Sequence, residues 1–323
     1  MPNAIRIHAA GGPEVMRWQP VEIGDPGPGQ VRLRQHAAGL NFIDVYHRTG
    51  LYPQPLPFTP GVEGAGVIER VGDGVEHVKA GDRVAYAGPI GGYADVRLID
   101  ADRLVKLPDD FGFDLAAAMM LQGMTARMLL RSVYPVAAGD MILVHAAAGG
   151  VGLILCQWAA ALGAVVIGTV STDDKAELAR AHGCQHPIVY TRQDFVAEVD
   201  KITSGARLPV VYDSVGSDTF LRSLDCLRPR GLMVSFGQSS GPVEPFSTNL
   251  LQQKGSLFLT RPTLFHYIAS RAELEASAAE LFEIVASGGV RIEVKQRFPL
   301  ADAAEAHRAL EARATSESTI LSV

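Results

Sequence analysis

Between Met141 and Thr172 the chain carries no Asp, Glu, Lys or Arg. A stretch this long without charge is either a membrane span or the buried centre of a sheet. A span needs about 20 consecutive apolar residues of helix, and here the adjacent Gly149 and Gly150 and a β-branched second half break the run into shorter pieces. Met141–Ala146 follows the turn-like Ala138-Gly139-Asp140 and suits a parallel strand buried on both faces. Leu153–Leu162 is rich in Ala and Leu and predicts a helix, with Gly163 where a helix C-terminus expects glycine. Ala164–Val170 reads as the next strand.

Glycines at a strand-to-helix junction let backbone approach a pyrophosphate, and the helix N-terminus offers unpaired N–H groups and a partial positive charge. The dinucleotide pattern G-x-G-x-x-G appears as Ala147-x-Gly149-x-x-Gly152, with its first glycine replaced. The glycines alone are weak evidence, since a glycine-rich helix start needs no ligand. Their place between two strands about 20 residues apart makes Gly149, Gly150, Val151 and Gly152 a cofactor corner.

The end of the second strand selects the cofactor. An acidic residue there holds the ribose 2′-hydroxyl of NADH; this chain has Ser171, with Lys175 one turn on. A carboxylate facing a 2′-phosphate would be repelled by roughly 4 kcal/mol per charge pair at 4 Å and an effective dielectric of 20, about a thousandfold in affinity. Serine removes that penalty and Lys175 supplies the opposite charge, so NADPH is expected over NADH. Asp173 and Asp174 fit the start of the following helix, where carboxylates face the dipole. Lys175 without Ser171 would read only as an exposed helix lysine.

At 323 residues, 47% of them hydrophobic, the chain has material for two domains and an ample core. Net charge is −6 and no basic run stands out, which argues against a nucleic-acid surface. No apolar leader is seen at the N-terminus, and Cys156, Cys184 and Cys226 form neither a metal spacing nor a disulfide framework, so a cytoplasmic, reducing location is expected.

Residues 1 to about 122 alternate apolar and polar side chains, as in Ala4–Ala9 and Val31–Ala37, and predict a small, mostly β domain. Asn41–Pro60 holds Asp44, Tyr46, Tyr52 and several prolines and reads as a stiffened loop forming a cleft wall. Asp114–Ser132 reads as a helix crossing into the cofactor domain. After Ser171, helices at Asp173–His182, Gln193–Thr203 and Ser217–Leu227 alternate with strands at Pro187–Tyr190, Val210–Asp213 and Gly231–Phe236. That alternation implies a doubly wound parallel sheet, whose strand-end loops single out Tyr190, Ser214–Gly216 and Gly237–Ser240. For any one of these, plain turn geometry explains the residue as well. Ser256–Thr260 closes the sheet; beyond Arg261 composition does not decide whether the tail extends it or joins the first domain.

Six segments then carry a resemblance. They are Gly39–Asp44, Gly61–Gly66, Ala80–Val84, His145–Gly152, Tyr212–Gly216 and Ser235–Gly237. With these the chain resembles the medium-chain dehydrogenase/reductase superfamily, in particular its zinc-free NADPH quinone oxidoreductases, relatives of zeta-crystallin. The resemblance implies an α/β chain with a GroES-like β domain built from both chain ends (1–124 and 263–323) and a Rossmann domain between (125–262). It implies a homodimer, NADPH as donor and a quinone as acceptor. It also implies cofactor contacts from Thr125, Gly150, Val151, Ser171, Lys175, Tyr190, Phe236, Gln238, Ser240 and Arg313, with Gln238 where the family has Asn. Asn41, Tyr46, Tyr52 and Gln122 would face the nicotinamide and the acceptor as the catalytic set. Zinc alcohol dehydrogenases of the superfamily carry a cysteine at the place of Asn41 and a histidine at that of Val62; neither replacement ligates zinc, and three cysteines cannot build a four-cysteine lobe. No metal is expected.

The expected reaction is direct hydride transfer from NADPH to a quinone, with a hydrogen-bond donor stabilising the oxygen that gains charge. Reduction of an α,β-unsaturated ketone or aldehyde is the alternative within the same chemistry. A crystallin-like structural or RNA-binding role is the alternative outside it, and the acidic balance weighs against RNA. Asp44 is expected to hold its loop by accepting hydrogen bonds.

Overall fold

The computed structural model describes residues 1–323. The chain divides into two compact units, one of Met1–Met124, Ile268–Ala279 and Ile292–Val323, the other of Thr125–Tyr267 and Glu280–Arg291.

The first unit begins with β1 (Asn3–Ile7), β2 (Met16–Pro20) and β3 (Gln30–Gly39), then α1 (Phe42–Thr49), β4 (Glu63–Val71), β5 (Arg83–Ala87), β6 (Val96–Asp100), the short β7 (Val105–Lys106) and α2 (Phe113–Arg127). Alternation along the first part of β3 turns Val31 and Leu33 into a core with Ile68, Val84, Tyr86 and Leu104, whereas β4 is buried on both faces over its first four residues, Glu63 to Gly66. The expected loop at Asn41–Pro60 is corrected: its first half is α1. The prolines all lie after Gly50, which ends the helix at a left-handed φ of 80°. At its start Asp44 Oδ2 accepts from Asn41 N–H and Asp44 N–H returns to the Asn41 main-chain carbonyl, which is one half of a capping box. A proline-rich window hid a helix whose own residues contain none.

The second unit follows as β8 (Met141–Val144), α3 (Gly150–Ala161), β9 (Val165–Val170), α4 (Asp173–Ala181), β10 (His186–Val189), α5 (Phe195–Ile202), β11 (Leu208–Asp213), α6 (Phe220–Ser223), β12 (Leu227–Ser235), α7 (Asn249–Gln253) and β13 (Phe258–Thr260). All pairings are parallel, in the order β10-β9-β8-β11-β12-β13. The order turns at β8, so the crevice at the strands' C-terminal ends opens beside the glycine corner. Both faces of the sheet are covered, which is why Met141–Val170 needs no charge: Ile142, Leu143, Val144, Val166 and Ile167 are fully buried. The expected helix at Ser217–Leu227 is shorter, with α6 passing into a 3₁₀ turn at Leu224–Cys226.

The chain then forms α8 (Leu264–Tyr267) and α9 (Arg271–Ala286), followed by β14 (Val294–Pro299), α10 (Ala303–Glu311) and β15 (Ser318–Ser322). β15 pairs antiparallel with β3 and parallel with β14, which builds the tail into the first unit's seven-stranded sheet. Residues 263–267 and Glu280–Arg291, expected with the first domain, instead group with the second unit. Arg127 and Arg131 both bind Glu280 there, and Gln157 bonds the backbone of Arg291 in both directions.

Candidate active site

In the second unit, β8 ends at a corner made of small residues. Ala146 takes a left-handed φ of 52°, Gly149 is the extended N-cap of α3, and Leu153 N–H makes the first bond back to Gly149 O at 2.8 Å. The amides of Gly150, Val151 and Gly152 therefore lead the helix, at the positive end of its dipole. A Cβ on Gly152 would drive into the Ala146 carbonyl. On β9, a Cβ on Gly168 would lie 2.5 Å from Ala147 Cβ and 2.7 Å from Cys184 Sγ. The corner thus sits directly on the neighbouring strand, and only glycine fits at either contact. These open amides in a bed of small side chains suit a diphosphate.

Beneath it, buried His145 joins Thr169 Oγ1 (2.9 Å) and Ser223 Oγ (2.8 Å). Ser223 donates its own hydrogen to Thr219 O, so it accepts from Nε2–H and Nδ1 accepts from Thr169. Burial holds the imidazole's pKa below its ordinary value, against the opposing charge of Asp213. It is a neutral bolt tying β8, β9 and α6.

Ser171, Tyr190 and the Phe236–Ser240 loop, expected to touch the cofactor, lie at the C-terminal ends of this unit's strands. Tyr190 N–H bonds Val170 O at 3.0 Å, and Thr191 Oγ1 bonds Ser171 O at 3.0 Å, which sets Tyr190 beside Ser171. Thr172 Oγ1 caps α4 by accepting from Lys175 N. Asp173 is held by both guanidinium nitrogens of Arg192, one at 2.6 Å, and Arg192 keeps its carboxyl below the usual range. After β11, Asp213 accepts from the amides of Val215 and Gly216 and from Thr219 Oγ1. The Phe236–Ser240 loop docks on that turn through Ser239 N–H to Ser214 O and Ser240 Oγ to Val215 O. Gln238 Oε1 accepts from Arg261 at 3.1 Å. Thr125 lies on α2 at the start of this unit. Arg313, at a left-handed φ of 57° after α10, belongs to the first unit.

In the first unit, the expected catalytic residues fall into two groups around α1. Asn41 and Gln122 are buried and touch, Gln122 Nε2 donating to Asn41 Oδ1 at 3.1 Å. Tyr46 and Tyr52 form an edge-on aromatic pair with centroids 5.2 Å apart, closed by Tyr52 N–H to Tyr46 O at 3.0 Å. His47 also meets Tyr52, and burial lowers its pKa to about 4.

Two buried carboxyls flank Asn41. Asp44 Oδ2 accepts from Asn41 N–H and from Tyr93 O–H, both at 3.0 Å. Glu63 Oε2 accepts from Asn41 Nδ2 at 2.7 Å, and Glu63 Oε1 from Leu121 N–H at 2.8 Å. Burial raises Asp44 to about 7 against four opposing hydrogen bonds. It raises Glu63 to about 8, with the Asp44 charge adding to the effect and the bonds from Asn41 and Leu121 opposing it. Behind Asp44 a second network runs outward: Tyr93 O–H meets His307 Nε2 (3.4 Å), His307 Nδ1 accepts from Arg48 (3.0 Å), and Arg48 is paired with Glu311 at 2.7 Å. Burial, then the Arg48 charge, lower His307 to about 3.

Residues 27–109 match the family described as the alcohol dehydrogenase GroES-like domain, and residues 150–283 that described as zinc-binding dehydrogenase. A quinone oxidoreductase of Pseudomonas aeruginosa is 52% identical over 99% of both chains. The solved structure of Escherichia coli quinone oxidoreductase complexed with NADPH superposes with a TM-score of 0.98, at 49% identity, over 99% of this chain and 100% of that one. The chain belongs to the zinc-free quinone oxidoreductase family of medium-chain dehydrogenases/reductases. A 2-haloacrylate reductase of Burkholderia is also similar, 47% identical over 99% of both chains. The family description mentions zinc, yet the Asn41 amide bonds Glu63 and Gln122, and Val62 has no ligand atom.

Glu63, Tyr93 and His307 were not singled out by sequence reasoning. One signal was there for Glu63: it is the only charged residue in Gly61–Gly66, a run otherwise of glycine, alanine and valine. A carboxylate in a strand that small is headed for burial with a partner. Nothing local marks Tyr93 or His307, whose partners lie 49 and 259 residues away.

Proposed function

We propose that this chain is an NADPH-dependent quinone reductase that delivers hydride directly to the acceptor without a metal. The observation that carries the reading is the end-to-end match, at 52% identity, to a protein named quinone oxidoreductase. NADPH supplies the hydride from its reduced nicotinamide.

The chain's own residues then have three tasks. Gly149, Gly150, Val151 and Gly152 receive the diphosphate on the amides leading α3. Ser171, Lys175 and Tyr190 hold the 2′-phosphate end; of the two carboxylates that follow, Arg192 neutralises Asp173, and both lie in the first turn of α4. Thr125, Phe236, Gln238, Ser240 and Arg313 complete the cofactor contacts. Asn41, Tyr46, Tyr52 and Gln122 face the acceptor, and their N–H and O–H groups stabilise the oxygen on which charge develops. A hydroquinone anion is a weak base, so water supplies the last proton and no dedicated acid is needed.

The similarity to a 2-haloacrylate reductase favours a second reading, reduction of an activated alkene. It needs the same hydride donor and a proton at carbon. Steady-state rates with a quinone and an α,β-unsaturated ketone, side by side, separate the two. Fluorescence titration with NADPH and NADH tests the cofactor assignment; equal affinities would overturn it.

The protein acts as a homodimer in this reading. β13 is the edge of its sheet, and Phe258 and Leu259 on it are 62% and 39% exposed. An exposed apolar edge, though only three residues long, invites pairing with a second copy. Sedimentation of the intact protein and of Phe258→Asp tests this, with monomeric wild type as the failing result. No helix is long and apolar enough to cross a membrane, and three free, buried cysteines suit the cytoplasm.

A further inference from the structure

Asn41 and Gln122 each carry an amide whose oxygen and nitrogen ends occupy nearly the same space. Which end faces an acceptor is decided by what each amide meets elsewhere. Ser318 Oγ, whose one hydrogen can go to Gln122 Oε1 at 3.3 Å or to the Ala118 carbonyl at 3.2 Å, tolerates either end of Gln122; Gln122 Nε2 donates to Asn41 Oδ1, and Asn41 Nδ2 donates to Glu63 Oε2. The chain of bonds thus has one direction, and it ends on Glu63. Glu63 cannot turn to accommodate a reversal, because its other oxygen is fixed by the Leu121 amide. Its carboxyl lies tight against β3: a Cβ on Gly39 would collide with Oε2 and with the Ala117 carbonyl.

We infer that Glu63 is a positioning residue whose carboxylate sets the amide direction of Asn41 and Gln122, so that each presents an N–H rather than a carbonyl to the acceptor. The inference rests on the proposed quinone reduction and deepens it. An ionised Glu63 only accepts, so Asn41 must show it nitrogen; one Nδ2 hydrogen is consumed and the other is left for the acceptor. A protonated Glu63 carries its hydrogen on Oε2, since Oε1 accepts from Leu121. It then donates to Asn41 Oδ1, and both amides reverse. The site that held a donor now holds an oxygen lone pair, which repels a developing oxyanion.

Several groups bear on this ionisation. Asp44, on α1, is the carboxyl whose charge disfavours that of Glu63. Tyr86 on β5 and Tyr93 ahead of β6 both feel the Glu63 charge. Arg97 lies 4.9 Å over the Tyr86 ring, and Arg48 acts on Tyr93. α2 contributes only backbone, the amides of Met120 and Leu121.

Glu63→Gln is the test. Its oxygen must face Leu121, which leaves an NH₂ facing Asn41 and imposes the reversed direction at any pH. Turnover of 1,4-benzoquinone and NADPH affinity by fluorescence are measured from pH 6 to 10. Wild-type kcat is expected to fall as pH drops through about 8. The variant is expected to lose that limb and to run about a hundredfold slower at the alkaline end, as for loss of one oxyanion donor, with NADPH affinity unchanged. A variant within threefold of wild type at the alkaline end, or one that keeps the limb, overturns the inference. Asp44→Asn is the second arm, since its amide can keep the bonds from Asn41 and Tyr93. Removing the like charge moves the limb to lower pH; abolition of the limb assigns it to Asp44 and overturns the inference. Wild-type protein that turns over no quinone overturns the functional reading itself, whereas active wild type with an indifferent variant overturns the role of Glu63 alone.

Discussion

Lys175, Tyr190 and the Asp173–Arg192 pair stand at the water's edge of the second unit. Asn41, Asp44, Glu63 and Gln122 of the first unit are at least 93% buried. At the first place, charges are screened by solvent and backbone does most of the shaping: glycines at 149, 150 and 152 and the end of α3. At the second, low dielectric makes every polar atom expensive unless it is bonded, so side chains specify one another. Substitutions in the exposed region should therefore alter what is bound and leave folding alone. Substitutions in the sealed region should alter stability, pH response and rate together.

The largest effect expected is from Arg48→Met. It leaves buried His307 and 35% exposed Glu311 without their shared donor; Glu311 rehydrates, so the cost is that of an orphaned buried polar group, about 1–3 kcal/mol. Urea denaturation should show that loss; an unchanged midpoint would put this region on the same footing as the exposed one.

Next is the pH dependence of stability. Asp44 and Glu63 have folded pKa values raised above their unfolded ones, so the folded state keeps protons that the unfolded state releases. Each makes stability fall as pH rises from about 4 to about 7 and 8 respectively, by roughly 1.4 kcal/mol per unit. His47 and His307 are lowered to about 4 and about 3, so each makes stability fall as pH drops below about 6.5. The two pairs oppose each other between about 4 and 6.5, where stability should be nearly flat. Between about 6.5 and 8 only the carboxyls act, and stability should decline. Thermal melts across that range check the sign, and Glu63→Gln should soften the decline.

Lys175→Ala should weaken NADPH by about tenfold while NADH is unaffected and the melting temperature stays put. Equal losses for both nucleotides would sink the phosphate contact. Arg192→Ala is the smallest: releasing the Asp173 charge should cost NADPH a few-fold in affinity, again without a change in melting temperature.

The second unit was largely legible because its signals are local. A charge-free strand, a glycine turn, an alanine-rich helix and a second strand follow one another within Met141–Val170, and parallel order follows from the alternation. Ser171 and Lys175 are four residues apart, on either side of the N-cap of α4. The first unit was legible as a set of strands but not as a site. α1 was missed although Asn41 and Asp44 have capping-box spacing, since Pro53, Pro55, Pro57 and Pro60 dominated the reading of the window. Asn41 and Gln122 stand out only through family resemblance, and Glu63, which accepts from Asn41, escapes notice. The Asn41–Glu63 contact spans 22 residues and the Asn41–Gln122 contact 81, distances closed only when β3 pairs with β4 and α2 lies down beside them.

Ala146 holds a backbone conformation that costs an alanine roughly 1–2 kcal/mol. The fold sustains that tension whether or not a nucleotide is near, so an arriving diphosphate meets a mould already cast and surrenders little of its affinity to bending the chain. Replacing Ala146 with glycine would relax the mould, and a steadier protein with a slacker grip is the trade such a corner embodies.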